Sequence, residues 1–513
     1  MDGVFLESGP WRINSNQTLR LIDGAWNEYA NVLYVDQPIG TGFSFANSDS
    51  YLHNVTQIPS QFLLFLDKFF KIFPEYSKDE IYIAGESFAG TFIPYIASAI
   101  LKRNSERKSS INLKYNVKGI AIGNGWIDPI TQYNAYYTFA VEHNLLDEEN
   151  KALAKDKLDT CMKAQKEKVR IHLDDVGKNE TCVNQYDIRD HSDSYPSCGM
   201  SWPYDIKTVS AYLRRSDVIG AIHAGDQQIG WTECNNGVGH DFDDDPSPPA
   251  VQLLPSILKQ INVLLYIGDQ DLICNKNGIE DMIKGLEWNG AKGFKDLTEK
   301  HWFVNDKLVG HMLSERNLTF MVVHNASHMV PYDEPGVSMS MMYWFIGLDK
   351  HIETKFSSKF KLGSDTTTPT SNANGTIYNG EDSEILNRYY NASYEGSEIN
   401  VTNVLLVINY AFASDLYHIQ FPSLFGTATL IVVICGVIAL AVFVFRGRFR
   451  RRKSTSQVMK AAVGSSDSEM TELVIETPLN SEDIDHFGDS DEEDNHDHDR
   501  SPLTSRARSD HNN

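Results

Sequence analysis

Ile81-Tyr82-Ile83-Ala84-Gly85-Glu86-Ser87-Phe88-Ala89-Gly90 passes from an apolar, β-rich stretch into small residues, and Thr91-Phe92-Ile93-Pro94 continues as the start of a helix. The order predicts a strand, a sharp turn and a helix, with Ser87 on the turn. A serine held there projects its hydroxyl away from the backbone, beside the amide N–H groups that open the helix. That is the layout of a nucleophile elbow. Gly85 and Ala89 are small because larger side chains would collide where the chain doubles back. Glycine is usual at the second of these positions, and this chain has Ala89. By itself a G-x-S-x-A run is equally compatible with a serine capping a helix, so the partners of Ser87 decide its meaning.

A serine nucleophile needs a base to take its proton and a carboxylate to orient that base. Val263-Leu264-Leu265-Tyr266-Ile267-Gly268 reads as a strand, and Asp269-Gln270-Asp271-Leu272-Ile273-Cys274-Asn275 follows its end. Thr319-Phe320-Met321-Val322-Val323 is a further strand, followed by His324-Asn325-Ala326-Ser327-His328-Met329-Val330-Pro331. Ser87, Asp271 and His328 thus all fall at the carboxyl ends of predicted strands, where open α/β sheets carry their chemistry. The chain has 16 histidines, and position alone separates neither Asp271 from Asp269 nor His328 from His324. Residues 31–35 and 117–122 read as two more strands. Residues 61–73 show apolar side chains at helical spacing and stop before Pro74. Alternating strands and helices with a serine elbow, then an acid, then a histidine predict an α/β chain of the α/β-hydrolase fold. Residues from about 135 to 245 break the rhythm with charged helical stretches and cysteines, and read as a helical lid insertion.

The chain is 41% hydrophobic, ordinary for a globular protein, and carries a net charge of −23. Such a balance excludes nucleic acid as a partner, since phosphates call for a basic surface. Residues 424–445 contain no charged residue; 22 residues of helix span about 33 Å, enough for the hydrocarbon core of a bilayer. Arg446, Arg448, Arg450, Arg451, Arg452 and Lys453 follow at once, which places the C-terminal side in the cytoplasm. The apolar run 404–413 is too short to span and contains Asn409. Glycosylation sequons stand at Asn16, Asn54, Asn179, Asn317, Asn325, Asn374, Asn391 and Asn400, all before the apolar segment, as expected of a luminal N-terminal part.

The expected layout is a domain over 1–355, a disordered glycosylated stalk over 356–423, one transmembrane helix over 424–445 and a disordered cytoplasmic tail over 446–513. Residues 454–513 hold 15 Asp and Glu against 4 Lys and Arg, too little apolar residue and too much charge for a core. Phe487-Gly488-Asp489-Ser490-Asp491-Glu492-Glu493-Asp494 reads either as a signal for cytoplasmic sorting machinery or as a solvated acidic stretch. Cys161, Cys182, Cys198 and Cys234 lie in the expected luminal part, Cys274 beside Asp271, and Cys435 in the apolar segment. Their connectivity is not readable from sequence.

Six runs stand in order along the first 350 or so residues: Glu7-Ser8-Gly9-Pro10; Asp36-Gln37-Pro38-Ile39-Gly40-Thr41-Gly42-Phe43-Ser44; Gly85 to Gly90; Gly123-Asn124-Gly125-Trp126-Ile127-Asp128-Pro129; Gly268 to Asn275; and Ser327-His328-Met329-Val330-Pro331. Together they resemble the serine carboxypeptidase family. Asp193-Ser194-Tyr195-Pro196-Ser197-Cys198-Gly199-Met200, Asn325-Ala326-Ser327-His328, the apolar segment and the acidic tail bring the likeness nearest to its membrane-bound, precursor-processing members.

The resemblance implies Ser87 as nucleophile, Asp271 as orienting acid and His328 as base. It implies that Glu7 and Glu86 bind the substrate's terminal carboxylate, and that Cys274, as a thiol, and Met329 border the pocket. Read without it, Glu7 is an exposed loop glutamate and Cys274 a buried structural cysteine. The Phe88 N–H is expected as one oxyanion donor, contributing about 3 kcal/mol to the transition state. Carboxyl groups that receive a carboxylate must retain and share protons, so peptide hydrolysis is expected to be best at mildly acidic pH. The second oxyanion donor is expected from an Asn-Gly-Gly-Pro-Gly-Cys segment, which in the family stands immediately before the run that opens here as Met1-Asp2-Gly3. Met1 to Leu6 has neither the basic start nor the apolar core of a signal peptide. The expectation is therefore that the N-terminal part of the domain lies outside this sequence, together with the cysteine that pairs with Cys234 in the family.

The implied activity is that of a single-pass type I membrane serine carboxypeptidase of the trans-Golgi network. It would act without metal or cofactor on peptides whose C-terminal Lys or Arg is exposed by dibasic cleavage. Two alternatives belong to other classes: a non-catalytic membrane receptor or sorting module on the same fold, and an acyltransferase in which an alcohol replaces water. Glu7 and Glu86, suited to a free peptide terminus, favour the peptidase.

Overall fold

The computed structural model describes residues 1–106, 114–167, 182–193, 197–226, 230–243, 245–352, 354–362 and 403–409. Nine strands of these residues form one sheet: β1 (Asn31–Asp36), β2 (Glu80–Glu86), β3 (Val117–Gly123), β4 (Asn262–Gly268), β5 (Lys300–Val304), β6 (Lys307–Glu315), β7 (Leu318–Val323), β8 (Ser358–Leu362) and β9 (Asn403–Asn409). Their spatial order is β8-β5-β6-β7-β4-β3-β2-β9-β1. From β7 to β1 every pairing is parallel, and the β8-β5-β6-β7 edge is antiparallel.

Strands of a parallel sheet are covered on both faces and read as unbroken apolar runs. On β2, Ile81 and Ile83 enter the core under one face while Tyr82 and Ala84 enter the core under the other; on β4 the same division sets Val263, Leu265 and Ile267 against Leu264 and Tyr266. The first face is covered by α1 (Ile58–Ile72), which buries Ile58, Phe62, Leu66 and Phe70 at four-residue spacing and ends before Pro74. Beside it lies α2 (Ala89–Ser105), which buries Phe92, Ile93, Ile96, Ala97 and Ile100. The opposite face is covered by α3 (Pro335–Ile346), apolar on nearly every side.

Between β3 and β4 the chain adds helices and no strand of the sheet among the described residues, including Glu148–Glu167 and Ile206–Leu213. Cys182 and Cys198 form a disulfide there, while Cys161, Cys234 and Cys274 are thiols.

The expected end of the domain at residue 355 needs correction. β8 pairs with β5, and β9 lies between β1 and β2, so stretches assigned to a stalk belong to the sheet. The run 404–413, set aside as too short to span a bilayer, supplies β9, because a strand needs only a handful of residues to cross a sheet. No helix among the described residues is long and apolar enough to cross a membrane. The segment 424–445, the acidic tail, the part of the expected stalk over 363–402, and Asn179, Asn374, Asn391 and Asn400 lie outside the described residues.

Candidate active site

Ser87 follows β2 directly and is separated from α2 by Phe88 alone. Its φ is +56°, the left-handed region that a side chain of this type adopts only where the surroundings hold it. Three backbone bonds do so: Ser87 N–H donates to Gly123 O at 3.0 Å, and Ser87 O accepts from Gly90 N at 2.9 Å and Trp126 N at 2.8 Å. The close approach of α2 to the loop after β3 requires Gly90, where a Cβ would stand 2.7 Å from Trp126 N. The Phe88 amide is the next along the chain, at the N-cap of α2.

His328 and Asp271 are 3% and 0% exposed, and His328 Nδ1 lies 2.8 Å from Asp271 Oδ2. Asp271 is fixed from four directions. Oδ1 accepts from the amides of Ile273 (2.9 Å) and Cys274 (3.3 Å), and Oδ2 accepts from Asn124 Nδ2 (2.7 Å) as well as facing the imidazole. The other ring nitrogen, Nε2, lies 3.8 Å from Glu86 Oε1, one residue before the serine. The competitors left open by the sequence pair with each other: His324 Nδ1 lies 3.0 Å from Asp269 Oδ2. That couple is partly exposed, at 40% and 23% of the side chains, whereas the Asp271–His328 couple is buried, with Nε2 toward Glu86. Two histidine–carboxylate pairs thus bridge the same two loops, and burial distinguishes them.

The close meeting of the two loops depends on Gly268 at the end of β4. A Cβ there would stand 2.1 Å from Ser327 O and 2.4 Å from Ala326 O. Gly268→Ala must therefore push the His328 loop outward, and a misplacement of about 1 Å is worth roughly 100-fold in rate. The expected result is a fall of about that size in the rate of Ser87 labelling by a fluorophosphonate, measured beside the thermal midpoint so that misplacement is told from unfolding.

Asn124 is the residue whose role the sequence did not disclose. It lies at the end of β3, fully buried, and its Oδ1 accepts from Gly268 N at 3.1 Å while its Nδ2 holds Asp271. Its place at a strand's carboxyl end, as for the three expected residues, was the available signal. The segment after Cys182 braces both loops. Tyr186 O accepts from His328 N, Gln185 O accepts from the amides of Leu272 and Ile273, and the Tyr186 ring lies 5.1 Å from the imidazole.

Glu7 and Glu86 are each 6% exposed, so Glu7 is not the exposed loop residue of the alternative reading. They share a hydrogen bond, and burial together with the charge of Asp2 pushes the Glu7 carboxyl up to about 7. Burial and the neighbouring Glu7 hold the Glu86 carboxyl well above its ordinary range. Two close carboxyls in a poorly solvated place keep a proton between them. Glu86 Oε2 is buried and has no hydrogen-bond partner among the described residues. Cys274 is 2% exposed, and burial beside Asp271 pushes its thiol well up, so it keeps its proton. Met329 packs at the edge of an apolar cluster built on Phe5, Leu6 and Trp231. Asp271, Cys274 and His328 offer ligand atoms within 4.8 Å of one another, yet both oxygens of Asp271 and Nδ1 of His328 are already engaged, an arrangement built for orienting an imidazole.

The profile of the serine carboxypeptidase family matches residues 1–347. The chain is similar to the pheromone-processing carboxypeptidase KEX1 of Tuber melanosporum, at 44% identity over 378 residues that cover 68% of this chain and 59% of that protein. It is similar to the KEX1 protein of Podospora anserina at 43% identity, covering 68% and 63%. Among solved structures, it resembles the crystal structure of Kex1Δp, a prohormone-processing carboxypeptidase from Saccharomyces cerevisiae. That match has a TM-score of 0.63 and 34% identity, over 70% of this chain and 83% of that one. The chain spans about 60% of the length of the curated relatives it matches.

Proposed function

Because the chain belongs to the serine carboxypeptidase family, we propose that its site hydrolyses the last peptide bond of peptides through an acyl-enzyme on Ser87. The observation that carries this is the buried His328–Asp271 couple, whose Nε2 lies 3.8 Å from Glu86, the residue before Ser87. Ser87 Oγ attacks the carbonyl carbon and His328 Nε2 takes its proton. Asp271, held by Asn124 and two amides, keeps the imidazole's other N–H pointed inward and stabilises the imidazolium. The Phe88 amide donates to the developing oxyanion. His328 then gives the proton to the departing amino group, and a water repeats the sequence to free the acyl chain. The Glu7–Glu86 pair, with its retained proton and the unpartnered Glu86 Oε2, receives the terminal carboxylate, which restricts cleavage to the chain end.

The relatives' printed names describe pheromone and prohormone processing, and we extend that to this chain as a preference for peptides ending in Lys or Arg. A luminal domain on a type I membrane anchor in the late secretory pathway fits the sequons that precede 424–445 and the basic cluster after it. To test the function, the natural protein is captured through its acidic tail and incubated near pH 5.5 with a peptide ending in Lys-Arg. Stepwise loss of the end residues by mass spectrometry is expected. An intact peptide would overturn the proposal.

The shared proton gives a pH dependence of known sign. Both carboxyls are raised, so the proton is held at acidic pH and lost as pH rises through about 7. KM for peptides is expected to climb above that pH with kcat much less affected, while a substrate lacking the terminal carboxylate shows no such climb. Steady-state kinetics between pH 5 and 8.5 check this, and a peptide kcat/KM that rises steadily above neutral pH would contradict the role of the two glutamates.

A further inference from the structure

We propose that Arg12 is the positioning residue for Glu7, holding it in register with Glu86 and so making cleavage depend on a free C-terminus; the assignment rests on the carboxypeptidase reading above. Arg12 lies on the short strand Trp11–Ile13, which pairs antiparallel with Leu19–Leu21. It is 6% exposed. Among the described residues its hydrogen-bond partners are backbone carbonyls, and the residue opposite it on the paired strand is a second cation, Arg20. A buried guanidinium without a carboxylate partner is costly to keep. Burial pulls Arg12 down to about 10, which still leaves it charged wherever the site works.

The four bonds show what the side chain does. Nη1 donates to Gly9 O at 3.3 Å and to Trp11 O at 3.1 Å. Nη2 donates to Glu7 O at 2.7 Å and to Pro331 O at 3.5 Å. Nη1 and Nη2 carry four N–H bonds between them, and each has its carbonyl. The fork therefore has no terminal donor left for a substrate carboxylate, which separates Arg12 from a binding role. Three of the acceptors belong to the run that carries Glu7, and the fourth lies three residues after His328. The shortest of the four fixes the Glu7 peptide itself. Glu7 N–H reaches Asp2 O at 3.2 Å, a longer bond than the one from Arg12.

His328 has separate supports. Its N–H donates to Tyr186 O at 2.9 Å, the Ser327 N–H donates to Asp333 Oδ2 at 2.6 Å, and Nδ1 faces Asp271. Loss of the fork thus loosens Glu7 and leaves the base in place. A lysine at this position would keep the charge, but a point donor on a flexible stem does not reproduce the planar spread that joins Glu7 O to Pro331 O. Recognition of the chain end and the chemistry at Ser87 are consequently separable through one residue that touches neither.

The test uses the natural full-length protein and its Arg12→Lys and Arg12→Gln variants. Two substrates are compared: a peptide with a free C-terminus, and an ester of the same acyl chain whose leaving group has no carboxylate. In each variant KM for the peptide should rise by about 10-fold or more, the scale of a lost hydrogen bond to a charged group. The ratio of kcat/KM for peptide over ester should fall with it. Labelling of Ser87 by a fluorophosphonate, which has no terminal carboxylate, should slow far less, and the thermal midpoint is read alongside. A ratio that stays unmoved in either variant overturns the assignment. So does a parallel fall of peptide hydrolysis and labelling, whether through unfolding or through displacement of His328, because Arg12 would then support the domain rather than Glu7. Hydrolysis of neither substrate by the unaltered protein would instead refute the carboxypeptidase reading on which the assignment rests.

Discussion

Ser87→Ala is expected to lower kcat for peptide hydrolysis by about 10⁶-fold, the scale seen when a serine nucleophile is removed from an otherwise intact triad. The loss is large because the remaining groups have nothing to activate. His328 and the Phe88 amide act only on a bond that Ser87 has attacked. Folding should survive, since the φ of +56° at this position is imposed by backbone bonds to Gly123, Gly90 and Trp126 and no described bond of the hydroxyl contributes. Release of C-terminal residues and labelling by a fluorophosphonate should vanish together, with circular dichroism unchanged. Labelling that persists in the variant would place the nucleophile elsewhere. Labelling without peptide hydrolysis in the unaltered protein would favour a transferase or a binding module.

Asp271→Asn should cost about 10⁴-fold in kcat, for a reason visible in its four partners. The carboxylate accepts on both oxygens, and an amide can accept on only one. With its oxygen toward His328 and Asn124, its NH₂ group meets the amides of Ile273 and Cys274. Turned over, it donates to Nδ1, and the imidazole then carries its proton on the nitrogen that must receive the one from Ser87. The paired control is Asp269→Asn, which loosens His324 and should change kcat no more than a few-fold. Equal losses in the two variants would mean that the second histidine–carboxylate couple takes part in the chemistry.

The parallel part of the sheet was legible because its strands are buried on both faces, which forces runs such as Val263 to Gly268 to be apolar throughout. The elbow was legible because its turn tolerates only small neighbours. The antiparallel edge was not. β5 and β6 mix buried and exposed positions and carry Lys300, His301, Lys307 and His311, so neither reads as a continuous apolar run. β9 was read as an apolar stretch of no assigned place, because a strand's neighbours in a sheet are set by distant chain and leave no local mark. At the site, residue types and order indicated a triad but not which acid and which histidine, since Asp269 and His324 occupy equivalent places on the same two strands. Only burial separates the pairs, and burial depends on Gly268 and Asn124 together.

The placement of β9 also has a meaning in time. The strand that leads into Ser87 pairs on one side with residues 403–409, made roughly 300 residues later. At about 5–20 residues per second, synthesis leaves the facing edges of β1 and β2 without their shared neighbour for roughly 15–60 s. Unpaired strand edges recruit other strands, including those of neighbouring nascent chains. A chain stopped short of residue 403 would keep that opening permanently, with Ser87 at the end of the strand beside it. This geometry leaves the facing edges of β1 and β2 open to other strands until residues 403–409 emerge, and ties completion of the described sheet to that late segment.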